Sequence, residues 1–65
     1  MVAKDASAVA ASLQLSAEKG DAGAQYRLGL LYASGQGVAQ DLRQALAWYR
    51  AAAEQGYAPA QCVLG

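Results

Sequence analysis

The hydrophobic positions between residues 42 and 53 recur with the spacing of an amphipathic helix. The apolar face would consist of Leu42, Ala45, Leu46, Tyr49, Ala52 and Ala53, with Trp48 widening it. The charged residues Arg43, Arg50 and Glu54 fall on the opposite side. Because the apolar face is wide, we expect this helix to pack against two neighbours.

Cap and turn residues predict where this helix begins and ends. Asp41 is followed three residues later by Gln44, a spacing that resembles a capping box, in which the carboxylate accepts hydrogen bonds from free amides of the first turn. The helix should therefore begin near Leu42. Gly56 can adopt the left-handed conformation that ends a helix, and Pro59 suits the first turn of the next one. The pattern predicts a helix, a tight turn and a second helix.

An earlier amphipathic segment is predicted to begin near Ala22 and to end at Gly35. Its expected buried stripe consists of Ala24, Leu28, Leu31 and Tyr32. Gly29 lies inside this helix, where glycine costs about 1 kcal/mol relative to alanine. We expect Gly29 to let the following helix approach closely, because it has no side chain.

The whole chain repeats itself with a period of 36 residues. When residues 1–29 are aligned with residues 37–65, 12 of the 29 positions are identical. The identical residues of the first copy are Val2, Ala3, Asp5, Ala11, Ala17, Glu18, Gly20, Ala22, Ala24, Gln25, Leu28 and Gly29. A repeat of this length is typical of helical solenoids.

Charge and composition argue against several classes of function. The 65 residues include five basic and five acidic side chains and no histidine. Without a concentrated basic patch, we expect neither nucleic acid nor an anionic membrane surface as a partner. Without histidine, a zinc site or an activated serine or cysteine nucleophile is disfavoured, so we expect no metal, no cofactor and no enzymatic activity. Cys62 aligns with Tyr26 and is interpreted as a small, partly exposed helix residue, with a redox role as the alternative.

The sequence contains no apolar stretch of the roughly 20 residues that a transmembrane helix needs. Residues 8–15 are the best candidate for the core of a signal peptide, but Ser12 and Gln14 interrupt them. The compartment stays open on this evidence, with the cytoplasm favoured.

Many spaced positions of the chain match one family pattern. They are Ala24, Leu28, Gly29, Tyr32, Gly35, Gly37, Val38, Asp41, Ala45, Trp48, Tyr49, Ala52, Ala53, Gly56, Ala60, Leu64 and Gly65. This pattern resembles the Sel1-like repeat, a relative of the tetratricopeptide repeat. The resemblance implies an all-α fold, in which antiparallel helix-turn-helix repeats form an α-solenoid with about three helices and a truncated fourth.

The same resemblance divides the chain into three parts. Residues 1–21 would be the second helix of a preceding repeat, residues 22–57 one complete repeat, and residues 58–65 the start of a truncated following repeat. Ser12 and Leu13 stand where the complete repeat has Trp48 and Tyr49. We therefore expect looser packing in the first unit.

The family resemblance also implies a function. Its arrays form right-handed superhelices whose first helices line a concave wall, and they usually act as noncatalytic scaffolds that bind proteins or peptides. If Leu28, Gly29 and Tyr32 face the partner helix, spacing leaves a candidate partner-binding set that consists of Tyr26, Leu30, Ala33 and Ser34, with Arg27 near the rim. The alternative is that Tyr26 and Leu30 pack on an adjacent repeat.

Two further functions stay open. The segment could be a purely structural solenoid spacer or a self-assembly module, and a hydrolase or redox protein acting through Cys62 is the least favoured alternative. The alanine-rich composition is compatible with a bacterial chain.

The repeat pattern predicts that the ends are uncapped. A helical repeat generally needs about three units to bury its faces. We expect Ala60 and Leu64 to lack the second helix that should cover them. The chain is therefore expected to be a fragment of a longer array or to self-associate through its uncapped repeat ends.

Overall fold

Four helices make up the computed structural model, which describes residues 6–64 and the side chains from residue 8 onward. They are α1 (Ala6–Glu18), α2 (Ala22–Ser34), α3 (Leu42–Glu54) and α4 (Ala58–Leu64). Each helix packs on the next one along the chain. The expected all-α architecture, with about three helices and a shorter fourth, is confirmed.

Residues 1–5 and Gly65, which contribute to the aligned repeat, lie outside the described residues. Among the helices that are described, none is long and apolar enough to cross a membrane.

The cap of α3 forms as the sequence predicts. Oδ1 of Asp41 accepts hydrogen bonds from the backbone amides of Arg43 (3.0 Å) and Gln44 (3.3 Å). The amide of Asp41 itself donates to the carbonyl oxygen of Tyr32 at 2.9 Å. This bond ties the loop after α2 to the start of α3, so the cap fixes the angle between the two helices as well as the first turn.

Glycines in the left-handed region follow α2 and α3, as expected. Gly35 has φ of 76° and donates its amide hydrogen to the carbonyl oxygen of Leu31, and Gly56 has φ of 85°. The next helix then begins at Ala58 with Pro59 in its first turn. These turns return the chain so that each helix packs on the next one.

The main core lies between α1 and α2. Ala17 and Ala24 are buried, and Leu28 is fully inaccessible to solvent. Four half-buried side chains, Leu13, Leu31, Tyr32 and Trp48, pack around these three residues. The predicted stripe of α2 is thereby confirmed.

The contact between α2 and α3 depends on Gly29. A Cβ atom at this position would lie 2.6 Å from Cε1 of Tyr49 and 3.1 Å from the carbonyl oxygen of Ala45. Tyr49, Ala45 and Ala52 are all buried. The predicted close approach is therefore present, and the ring of Tyr49 occupies the space that a side chain at residue 29 would need.

Two expectations about the apolar surface were wrong. Leu42 and Leu46, predicted to be buried, are 62% and 54% exposed. The reason is that α4 has only seven residues against the 13 of α3, so it covers only the part of α3 nearest their shared turn. Ala60, expected to lack cover, is fully buried because α4 turns this small residue onto α3, whereas Leu64 is 40% exposed as expected.

One hydrogen bond recurs with the period of the sequence. Nε2 of Gln25 donates to the carbonyl oxygen of Ala17, and Nε2 of Gln61 donates to that of Ala53, both at 3.0 Å. In the first case the amide oxygen of Gln25 also accepts a hydrogen bond from Nε2 of Gln55 at 3.0 Å. Gln25, although buried, is therefore satisfied at both ends and links α1, α2 and α3.

Candidate functional site

The candidate binding residues lie along α2, on the side away from its most buried positions. We define the α2 contact face as Tyr26, Arg27, Leu30, Ala33 and Ser34. Arg27, Leu30 and Ser34 are exposed, whereas Tyr26 and Ala33 are half-buried. Residues three and four apart are neighbours on a helix, so Arg27, Leu30 and Ser34 form a continuous exposed line.

Tyr26 takes part in packing within the chain. Its ring lies 5.7 Å from the ring of Tyr49 and 5.5 Å from the ring of Tyr57, measured between centroids, at tilts of 42° and 48°. Tilted aromatic pairs at these distances are favourable. Tyr26 therefore connects α2 to α3 and to the turn before α4, and only part of its ring remains available to a ligand.

The ionisation of Tyr49 reflects its place in this cluster. Burial raises the pKa of the Tyr49 hydroxyl above its ordinary value, and the nearby Tyr26 raises it further. The cluster is thus a neutral, aromatic support beneath one edge of the α2 contact face.

The C-terminal end of the α2 contact face is held by side chain to backbone hydrogen bonds. The hydroxyl of Ser34 donates to the carbonyl oxygen of Leu30 at 3.0 Å. Nε2 of Gln40 donates to the carbonyl oxygen of Ala33 at 2.8 Å. The bond from Gln40 ties the loop after α2 to the last turn of the helix, while the side chain of Ser34 stays exposed.

An open cavity of about 280 Å³ adjoins the other end of the α2 contact face. It lies between α1, the first half of α2 and the turn before α4, and it is lined by Leu13, Ser16, Asp21, Gly23, Ala24, Arg27 and Tyr57. Arg27 is the one member of the candidate set that lines it. The cavity therefore extends the exposed line of α2 toward α1.

The chemistry of this cavity is mixed. Arg27 supplies a cation, Ser16 a hydroxyl, Tyr57 an aromatic ring with a hydroxyl, and Leu13 an apolar wall. Oδ1 of Asp21 already accepts a hydrogen bond from the amide of Ala24 at 3.2 Å as the N-cap of α2. An aliphatic or aromatic side chain with a polar end would fit such a lining.

Of the seven residues that line the cavity, six were not in the candidate set predicted from the sequence, among them Asp21 and Tyr57. Asp21 had a visible signal, because an aspartate directly before an amphipathic segment is a typical N-cap. Tyr57 had no such signal in the sequence, because its position beside Gly23 and Tyr26 depends on the conformation of the turn after α3.

Groups that could support metal chemistry are not assembled in the described part of the chain. Among residues 6–64, no three His, Cys, Asp or Glu side chains lie close enough to hold a metal ion. Cys62 is a free, exposed thiol on α4.

This architecture is similar to that of known proteins. The model of the Sel1 repeat family matches residues 22–57. The crystal structure of a Sel1 repeat protein from Oxalobacter formigenes matches with a TM-score of 0.90 and 41% sequence identity over 94% of this chain. The chain spans 25% of the length of that solved chain, and no curated protein matches it significantly. A bacterial origin fits the match to the Oxalobacter protein.

The family model covers more than half of the chain, and the solved structure shares its helical arrangement. The repeated Gln25 and Gln61 hydrogen bonds show the same periodicity within the chain itself. The chain therefore belongs to the Sel1 repeat family.

Proposed function

We propose that this chain is a protein-binding segment of a Sel1 repeat array, and that the α2 contact face together with the adjoining cavity receives a peptide or protein. Sel1 repeats generally mediate interactions between proteins and are generally noncatalytic scaffolds. A binding role uses the exposed side chains of α2, and it requires no catalytic group.

One observation carries this proposal. Leu30 is 42% exposed next to Arg27, which lines the cavity, on a helix whose other side is buried against two neighbours. The arginine and the tyrosine that line the cavity are residue types enriched in interaction hot spots, and Leu30 adds exposed apolar area beside them. The rigid aromatic support beneath Tyr26 would keep this surface preorganised, which lowers the entropic cost of binding.

The proposal is tested with peptides selected from a displayed random library by the purified chain. The affinity of the selected peptides is then measured by fluorescence anisotropy for the wild type, Leu30→Ser and Arg27→Ala. We expect each substitution to weaken binding by about tenfold or more, because each removes a central contact. Both residues are exposed, so far-UV circular dichroism should show unchanged helicity.

Matched controls are available on other surfaces of the chain. Leu15→Ser alters a leucine that is 63% exposed on α1, and Arg50→Ala alters an exposed arginine on α3. Neither substitution should change peptide affinity. If the controls weaken binding as much as the α2 variants do, or if the α2 variants bind normally, the α2 contact face is not the binding surface.

A further inference from the structure

Arg27 differs from the other basic residues of the chain in having no acidic residue close to it in the sequence. Each of the other four basic residues lies within four positions of an aspartate or glutamate, and the pairs are Lys4 with Asp5, Lys19 with Glu18, Arg43 with Asp41, and Arg50 with Glu54. No acidic residue lies within five positions of Arg27. Although the formal net charge of the chain is zero, the positive charge of Arg27 is therefore not balanced locally along the helix.

Asp21 is the one acidic residue that lines the cavity together with Arg27. Its carboxylate caps α2, where Oδ1 accepts a hydrogen bond from the amide of Ala24 at 3.2 Å. The six positions between Asp21 and Arg27 correspond to about 9 Å along the helix axis. Asp21 therefore acts at the positive end of the α2 dipole, while the guanidinium of Arg27 stays exposed one to two turns away.

The position of Arg27 is open in both copies of the repeat. Val63 occupies the same place one period later, where α2 and α3 precede it, and it is 49% exposed. Arg27 is exposed although α3 and α4 follow it. Helices before this position and helices after it thus both leave it uncovered. The exposure of Arg27 therefore belongs to the repeat and does not depend on where the sequence begins or ends.

We propose that the partner of the α2 contact face is a peptide with an acidic side chain, whose carboxylate pairs with Arg27 while the rest of the peptide follows the α2 contact face. This inference rests on the proposed function and adds the charge of the ligand to it. A guanidinium presents a planar set of N–H donors that matches the two oxygens of a carboxylate. A complementary charge also selects against basic and neutral partners, since these leave Arg27 without a counterion.

The surroundings of Arg27 favour a single carboxylate over a polyanion. Arg27 is the only charged residue of α2, and α4 has none, whereas a nucleic acid or an anionic membrane surface requires several clustered cations. The exposed line of α2 continues from Arg27 through Leu30 to Ser34. A peptide can therefore run past Arg27, which an acidic side chain within the peptide allows and a terminal carboxylate does not.

The test uses the peptides that the wild-type chain selects from the random library. We expect these peptides to be enriched in Asp and Glu. Each acidic peptide and its counterpart, in which the acid is replaced by the corresponding amide, are then titrated against the wild type and Arg27→Gln at low and high salt. At low salt, either change alone should weaken binding by about fivefold, the upper end for an exposed ion pair, and the second change should add little. High salt should remove the difference.

Two variants serve as controls. Arg50→Gln removes an exposed arginine of α3 and should leave the affinity for the acidic peptides unchanged. Arg27→Glu reverses the charge and should bind a peptide with lysine in place of the acid better than the acidic original. Because Arg27 is exposed, circular dichroism should show unchanged helicity for both substitutions at this position.

The outcomes separate this inference from the proposed function. Selected peptides that depend on Leu30 but lack acidic residues, or acidic peptides that bind Arg27→Gln as well as the wild type, would overturn the inference and leave peptide binding intact. Equal weakening by Arg50→Gln would overturn it as well. If the wild type selects no peptide, or if binding is insensitive to Leu30→Ser, the proposed function fails and this inference fails with it.

Discussion

Gly29→Ala is the substitution that most directly tests how α2 and α3 pack. In an open helix this change stabilises, because alanine favours the helical conformation by about 1 kcal/mol over glycine. At residue 29 the new methyl group would lie 2.6 and 2.7 Å from Cε1 and Cδ1 of Tyr49 and 3.1 Å from the carbonyl oxygen of Ala45. Helix propensity and packing therefore oppose each other at this position.

The size of the destabilisation by Gly29→Ala depends on how little the atoms around residue 29 can move. The contact with Cε1 of Tyr49 is shorter than an ordinary van der Waals contact by about 0.8 Å. The ring is 5% exposed and rests against Tyr26, so it has no open space to enter, and the carbonyl oxygen of Ala45 belongs to the backbone of α3. Overpacking of a core costs about 1–3 kcal/mol, and this geometry places the cost near the upper end. After the gain in helix propensity, we expect a net loss of about 2 kcal/mol.

The assay is urea denaturation followed by circular dichroism, with every variant at the same chain concentration. In a thermal melt of the same variants, a loss of this size corresponds to a decrease in Tm of about 8–16 °C for a domain of about 60–100 residues. Gly23→Ala in the same helix is the matched control, because its new methyl group would meet Asp21 Oδ1 at 3.4 Å and the Tyr57 hydroxyl at 3.8 Å, which are ordinary contacts. The control should be neutral or slightly stabilising.

The reasoning fails if Gly29→Ala is as stable as Gly23→Ala. That result would mean that α3 can move away from α2 at little cost, so that the close approach is not needed for stability. Adding Tyr49→Leu to Gly29→Ala should recover part of the loss, since a shorter side chain leaves space for the methyl group.

Three further experiments test other parts of the fold. Gln25→Ala should destabilise the chain by about 1–3 kcal/mol, because it removes two hydrogen bonds at a buried site, the one that Gln25 donates to the Ala17 carbonyl oxygen and the one that it accepts from Gln55. Gln61→Ala, at the exposed equivalent position, removes one hydrogen bond and should have a much smaller effect in the same urea titration; equal effects would contradict this. Asp41→Ala should cost about 1 kcal/mol through loss of the α3 cap, whereas an unchanged urea midpoint would show that the cap does not limit stability. Because the pKa of Tyr49 is raised in the folded chain, its contribution to stability is complete below the ordinary tyrosine pKa of 10.0 and is lost as the pH rises through the folded value. The stability of the wild type should therefore fall in this alkaline range, and the stability of Tyr49→Phe should fall less. Identical pH profiles for the two proteins would show that the raised pKa of Tyr49 does not contribute to stability.

The sequence by itself determined the bounds of α2 and α3, the start of α4 and the repeat of 36 residues. Amphipathic spacing, the Asp41 cap and the left-handed glycines are local features that act within a few residues, so they could be recognised without knowledge of the neighbours. The need for a glycine at residue 29 was also visible, because the cost of glycine in a helix implies a compensating close contact.

Tertiary structure decided which apolar residues are buried and what the candidate site contains. Leu42 and Leu46 have the spacing of core residues but remain exposed, because burial depends on the length of the helix that packs on them. Tyr57 reaches the cavity beside Arg27, and Gln55 reaches Gln25, only because the turn after α3 returns the chain to α2. Such contacts join residues about 30 positions apart, and periodicity along one helix contains no information about them.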